Sequence, residues 1–208
     1  MPTELVPDVY DLTLRTRGAA RYRAFLVDGD TPTLFDCGFP DTTDVLREEV
    51  DATGVTPERL VVTHADGDHV GGLEAVVEAY GAETYLPEGG SSDVDGVDHR
   101  YGDGDRIGEF VAVATPGHRD DHHALVDEGR SLAVLGDAVS GSDQRGIPPG
   151  YFVLPPAVYS EDLHEAEASL ERLLDYDFDA ALLYHGSSVL EDASERLRAF
   201  VEFVGRPT

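Results

Sequence analysis

A chain of 208 residues with 41% apolar content is long enough for one compact domain with a continuous core and too apolar for a disordered segment. It carries 42 acidic against 15 basic residues, every one of the latter arginine, for a formal net charge of −27; it therefore lacks the positive face that displaces counterions from phosphates, and DNA or RNA is not an expected partner. No apolar run reaches the ~20 residues that cross a bilayer, the N-terminus MPTELVPDVYDL lacks the basic-then-apolar order of a signal peptide, and a single cysteine, Cys37, allows neither an internal disulfide nor a cysteine zinc cluster.

In chain order, VYDLTLRT (9–16), RYRAFLVD (21–28) and TPTLFDCG (31–38) read as a meander of strands, with turn signals at Arg17-Gly18 and Asp28-Gly29-Asp30. DTTDVLREEVDATG (41–54) predicts a helix with Asp41 as N-cap, apolar residues at 45, 46 and 50, and Gly54 as its stop. RLVVTH (59–64) is a short apolar strand. From Val70 the spacing becomes helical, through Leu73, Val76, Val77 and Tyr80 to Gly81. ETYLP (83–87) is a further strand, and the Gly-, Ser- and Asp-rich stretch 88–105 reads as loop.

Strands resume at 109–117, 123–129 and 131–137. The stretch 138–159 holds four prolines and no period, and a long loop inside a compact domain is usually functional or mobile. A helix is predicted over 160–176, with Leu163, Ala166, Leu170, Leu173 and Leu174 on one face. A strand follows at 180–186, then Ser188-x-x-Glu191 as a capping box and a last helix carrying Leu190, Ala193, Leu197, Phe200, Val201 and Val204. This order predicts a single α+β domain over 1–208, with two sheets or one large mixed sheet covered by helices.

The chemistry concentrates at strand ends. VVTHADGDHVGG (61–72) packs His64, Asp66, Asp68 and His69 between an apolar run and a helix start, a junction that gathers side chains at one sheet edge. AVATPGH ends at His118, LAVLGD at Asp137 and ALLYH at His185. Neutral imidazole and carboxylate are ordinary ligands for zinc, iron or manganese. A lone strand-end histidine is more often a hydrogen-bonded structural group; four such strand ends in one chain are hard to assign to chance.

In these motifs the sequence resembles the metallo-β-lactamase fold superfamily over nearly its whole length: LFDCG (34–38), THADGDHVGG (63–72), TPGH (115–118), GD (136–137) and YHG (184–186). The resemblance implies a four-layer αββα sandwich with a dinuclear metal site. Carried over by position, His64, Asp66 and His118 hold one ion, Asp68, His69 and His185 the other, and Asp137 bridges them. Two divalent ions are implied, zinc first, with iron or manganese as alternatives. Asp68 also orients the nucleophile. His122 matches a place where a histidine orients a ligand or substrate. The departure is Asp66, where the usual motif has histidine. It is either a substituted, harder, oxygen-rich ligand or a bystander beside a mononuclear site.

The implied activity is hydrolysis, by a hydroxide formed between two metals, of a small ester, a thioester of the hydroxyacylglutathione type or a lactone. The chain has neither the C-terminal helical domain of the glutathione thioesterases nor the inserted domain of the RNA-processing nucleases. The runner-up is a diiron redox protein, because the flavodiiron oxygen reductases share this fold and place a carboxylate, glutamate, at the position of Asp66; their flavodoxin domain is missing here. A non-catalytic metal-binding module is a third reading, opposed by seven filled ligand positions. Expected partners are a small-molecule substrate and at most a second copy, as monomer or homodimer, with no membrane.

Other residues carry two readings each. Asp36 supports a ligand or only caps a turn. Cys37 is a small buried hydrophobe before it is a nucleophile. His99 and His164 belong to the surface, and one of His122 and His123 points away from the site because neighbours on a strand alternate. Arg145, Tyr151 and Phe152 line a substrate pocket or pack the loop on its own aromatics. The acidic surface without lysine suits the cytoplasm of an extreme halophile, where salt screens self-repulsion. A melting temperature that drops between molar and millimolar salt is expected; an unchanged curve would count against it.

Overall fold

In the computed structural model, which describes residues 1–89, 94 and 96–203, the alternating N-terminal segments form a seven-stranded sheet. Val204 and part of the 88–105 stretch lie outside the described residues. The chain divides into two compact units, residues 1–101 and 102–208. Among the described residues no helix is long and apolar enough to cross a membrane.

The first unit begins with β1 (Thr3–Val6), β2 (Val9–Arg17), β3 (Ala20–Val27) and β4 (Thr33–Phe35), antiparallel in that order. The sheet then turns parallel, through β5 (Arg59–Val61), β6 (Glu83–Pro87) and β7 (His99–Tyr101). Parallel neighbours need crossovers. These are α1 (Thr43–Thr53) between β4 and β5, and α2 (Gly67–Val70) with α3 (Leu73–Tyr80) between β5 and β6. Gly54 and Gly81 close α1 and α3 in the left-handed conformation, at φ 76° and 65°. Leu46 and Val50 of α1 and Leu73 and Val76 of α3 are buried with Leu12, Leu26, Leu34 and Leu60 of the strands, each fully buried apolar side chain contributing about 1.5–3 kcal/mol.

The second unit holds a five-stranded sheet in the order β14-β11-β10-β9-β8. Its strands are β8 (Arg106–Ile107), β9 (Phe110–Ala114), β10 (His123–Asp127), β11 (Leu132–Gly136) and β14 (Ala180–Leu183). β11 and β14 run parallel and the other pairs antiparallel. A small ribbon pairs β12 (Ser140–Gly141) with β13 (Phe152–Val153). The helices are α4 (Leu163–Ser169), continued as a 3-10 turn over Leu170–Asp175, and α5 (Ala193–Val201). Leu170, Leu173, Leu197 and Val201 cover the strand residues Val126, Leu135 and Leu183.

The α+β class matches the expectation, and several local readings need correction. β1 was not foreseen, and β7 falls in the stretch read as loop; three residues are too few to show a period, and β7 exists through its pairing with β6. The same holds for the ribbon inside 138–159. Asp41 does not cap α1: it pairs with Arg15 at 2.6 Å, and the N-cap is Thr42, whose hydroxyl donates back to Phe39 O at 2.9 Å instead of capping the helix. Ser188 does not begin a capping box. Its hydroxyl accepts the Leu183 N–H at 3.2 Å, and α5 starts after Asp192 at φ 54°. The helix read from Val70 is interrupted at Gly71-Gly72, and Val77 is exposed.

Candidate metal centre

In the first unit the site grows from the ends of two neighbouring strands. Asp36, just beyond β4, sits at φ 58° with its side chain buried, a conformation that aspartate tolerates better than most residues. Its Oδ1 accepts the Thr63 N–H at 2.8 Å, both oxygens lie 3.1 Å from Thr63 Oγ1, and Oδ2 lies 2.8 Å from His69 Nδ1. A carboxylate only accepts, so His69 donates from Nδ1 and Thr63 gives its one hydroxyl proton to Asp36. Thr63 Oγ1, 3.0 Å from His64 Nδ1, then accepts from that nitrogen. Both imidazoles thereby carry the proton on Nδ1 and present a lone pair at Nε2.

These two rings are fully buried, with centroids 4.0 Å apart. His64 Nε2 lies 3.7 Å from Asp66 Oδ2 and His69 Nε2 4.0 Å from Asp68 Oδ2, the carboxylates being partly exposed. Asp66 precedes α2 in extended conformation and Asp68 lies in its first turn. Cys37 is tied to this turn, since His69 O accepts both its N–H and its S–H, at 2.8 and 3.0 Å. A Cβ on Gly72 would stand 2.3 Å from Cys37 O, so only glycine admits this approach. Burial pushes the Cys37 thiol well above its ordinary pKa, which supports the hydrophobe reading over the nucleophile.

In the second unit His118 follows the turn after β9, Asp137 follows β11 and His185 follows β14. His118 Nε2 and His185 Nε2 each lie 3.4 Å from the same oxygen, Asp137 Oδ2. His122 is buried behind them and is no ligand: its Nε2 accepts the Asp137 N–H at 3.0 Å and its Nδ1 faces Thr115 Oγ1 at 2.8 Å. It thereby holds the backbone that carries Asp137. His123 is also buried, with Nδ1 on Asp121 O at 2.8 Å.

The separations test whether these residues suit a metal. Two ligand atoms, each about 2.1 Å from one ion at a tetrahedral angle, stand roughly 3.4 Å apart. Asp137 with His118 and with His185 matches that edge, and the 3.7 and 4.0 Å pairs of the first unit are somewhat wider. All four imidazole–carboxylate separations fall outside or at the limit of ordinary hydrogen bonding. The residues fit divalent cations. Within the first unit Asp66 stands beside His64 and Asp68 beside His69, and within the second His118 and His185 both face Asp137.

The remaining candidates separate cleanly. Asp36 is the support of His69. His99 and His164 are exposed, as expected. Arg145 is exposed and donates to Leu154 O at 3.2 Å, Tyr151 is 59% exposed, and Phe152 is buried in the second unit's core. Thr63, which joins Asp36 to His64, and Thr115, which faces His122, were missed in sequence; threonine is too common beside a strand end to stand out, and only its position before His64 and in TPGH hinted at it.

Fold and ligand sets together define an α+β metal-binding protein. Residues 22–91 match the sequence profile of the metallo-beta-lactamase superfamily. A metallo-beta-lactamase of Cronobacter sakazakii with a HARLDQ motif superposes with TM-score 0.69 at 19% identity, over 96% of this chain and 89% of that one. Rubredoxin oxygen:oxidoreductase of Desulfovibrio gigas superposes with TM-score 0.73 at 17% identity, over 100% of this chain and 63% of that one. In sequence, a hydroxyacylglutathione hydrolase of a Bradyrhizobium strain is 30% identical over 104 residues, 48% of this chain and 40% of the relative. The chain spans about half the length of the curated relatives it matches, 58% of one and 40% of another. The chain has the metallo-β-lactamase fold, and its residues 22–91 carry that superfamily's profile.

Proposed function

We propose that the protein is a metal-dependent hydrolase of a small ester, thioester or lactone, working at a dinuclear centre. His64, Asp66 and His118 would hold one ion, Asp68, His69 and His185 the other, and Asp137 both. One observation carries this reading: Asp137 Oδ2 faces two imidazole Nε2 atoms at 3.4 Å each, the spacing of a carboxylate shared between ligands. The match to a hydroxyacylglutathione hydrolase supports the thioester end of the range. Held by these residues, two divalent ions would supply a water-derived nucleophile at neutral pH and polarise the substrate carbonyl.

The chain's own part is orientation and proton handling. Asp68, partly exposed in the first turn of α2, presents a carboxylate at the solvent side of His69, where it can hold the proton that the attacking water gives up. Asp36 and Thr63 keep the first unit's imidazoles in one tautomer, and His122 keeps Asp137 in place. Zinc is the first choice of metal, with iron or manganese favoured in proportion to the weight of the three carboxylates, Asp66, Asp68 and Asp137. The net charge of −27 with no lysine supports a soluble protein of a salt-rich cytoplasm, acting on a small molecule as monomer or homodimer.

A second reading, a diiron redox protein, draws on the carboxylate at 66 and on the likeness to the Desulfovibrio oxidoreductase along the whole chain. Metal content of protein purified without chelator, wild type against Asp66→Ala, separates the two. Two zinc or manganese ions, falling toward one in the variant, are expected. Two irons would turn the reading to redox chemistry, and one ion indifferent to Asp66 would overturn the dinuclear centre.

A further inference from the structure

The stretch between Asp137 and α4 is anchored at two histidines of the second unit, His118 and His185. Ser160 follows the turn Ala157–Tyr159 and stands behind His118, its Oγ 3.4 Å from Nδ1. The same hydroxyl donates to Pro156 O at 3.2 Å. A hydroxyl has one proton to give. Spent on Pro156, it leaves Oγ as an acceptor, so His118 carries its proton on Nδ1 and offers the Nε2 lone pair toward Asp137. The main chain follows the same path: Glu161 N–H donates to His118 O at 3.2 Å and Asp162 N–H to Gly117 O at 2.8 Å.

At its other end the stretch grips the turn after β14. Asp143 accepts the Ser187 N–H at 2.6 Å and the Ser187 hydroxyl at 2.8 Å, and Gly141 N–H donates to His185 O at 2.8 Å. The two backbones touch, since a Cβ on Gly186 would lie 2.4 Å from Gly141 O. Between the anchors, Phe152 is buried in the core while Ile147, Tyr151, Val158 and Tyr159 stay exposed. The stretch is thus pinned in its middle and at both ligand turns.

We propose that residues 140–162 form a strap that presets the second unit's histidines, with Ser160 the positioning residue for His118 and Asp143 the positioning residue for the turn that carries His185. The inference rests on reading both histidines as metal ligands. Supports of this kind hold ring orientation and tautomer, and losing one typically weakens metal binding 10–100-fold.

The test pairs nitrogen NMR of the histidine rings in metal-free protein with the rate at which zinc-loaded protein gives up its metal to a chelator. Ser160→Ala is expected to move His118 from the Nδ1–H tautomer to a mixture with Nε2–H and to speed metal release about tenfold. The melting temperature of the metal-free protein should stay in place. Ser160→Thr, which suits the extended backbone there at φ −109° and ψ 143°, should restore both signals. Asp143→Ala should speed release while leaving the His118 tautomer unchanged. An unchanged tautomer and release rate in Ser160→Ala overturns the strap alone. A drop in metal-free melting that matches the loss of metal also overturns it, since Ser160 would then be merely structural. Wild-type protein that takes up no zinc overturns the ligand reading and the strap with it.

Discussion

Gly117→Ala is expected to destabilise the protein by about 4 kcal/mol, a melting-temperature drop of roughly 10 °C for a chain of this size, and to weaken metal retention at the adjacent His118. Gly117 adopts φ 120°, and a Cβ there would stand 2.0 Å from Ala166 N, 2.4 Å from Ala166 Cα and 2.7 Å from Asp162 O. These atoms are the backbone of the first turn of α4, which cannot swing aside as a flexible side chain could. Asp162 N–H is bound to Gly117 O, and Ser169 Oγ to Pro116 O, so the helix and the ligand turn must shift together. Gly54→Ala is the control, because its φ is also positive, at 76°, with nothing within 4 Å of the added carbon. It should cost only the backbone strain of about 1–2 kcal/mol. Thermal melts of the two variants decide the matter: equal losses would mean that the close packing of α4 on the turn is wrong.

Asp36→Ala should lower metal affinity 10–100-fold and stability by about 2–4 kcal/mol. The substitution takes the acceptor from Thr63 N–H and from His69 Nδ1, at 2.8 Å each, and frees the Thr63 hydroxyl proton to turn toward His64. Two buried donors and the tautomers of two imidazoles therefore depend on one carboxylate. Asp36→Asn is the sharper variant, since asparagine also tolerates φ 58° and nearly preserves shape. Its amide carries a donor that must face one of the three donors Asp36 now accepts from, so metal affinity should fall with a smaller loss of stability. Titration of zinc into metal-free protein, beside urea unfolding of the same samples, measures both. Zinc binding unaffected by Asp36→Ala would remove Asp36 and Thr63 from the site.

Much of the site could be read from residue types at strand ends. His64, Asp68, His69, His118, Asp137 and His185 follow apolar runs, beside glycine or proline that turns the chain, and imidazole and carboxylate carry their ligand chemistry wherever they stand. Asp66 was legible as an oddity, but its place beside His64 at 3.7 Å depends on the loop's path. The helices α1 and α3 were legible from period and closing glycine. Their beginnings were not, because a cap is a geometric event: Asp41 is drawn to Arg15 on the distant strand β2, and Ser188 turns back to Leu183 at the end of β14.

What the sequence by itself determined is the inventory of the chemistry: an acidic, lysine-free chain, an alternation of strands and helices of the α+β class, and ligand-type side chains at four strand ends. Tertiary structure alone decided how that inventory is held. The tautomers of His64 and His69 depend on Asp36, 27 and 33 residues away from the groups it binds, and the position of His118 on Ser160, 42 residues on. Serine, threonine and aspartate are common enough to leave no trace in a pattern. Their roles arise only when folding sets one acceptor beside one donor in a buried place, where each proton has a single partner to go to.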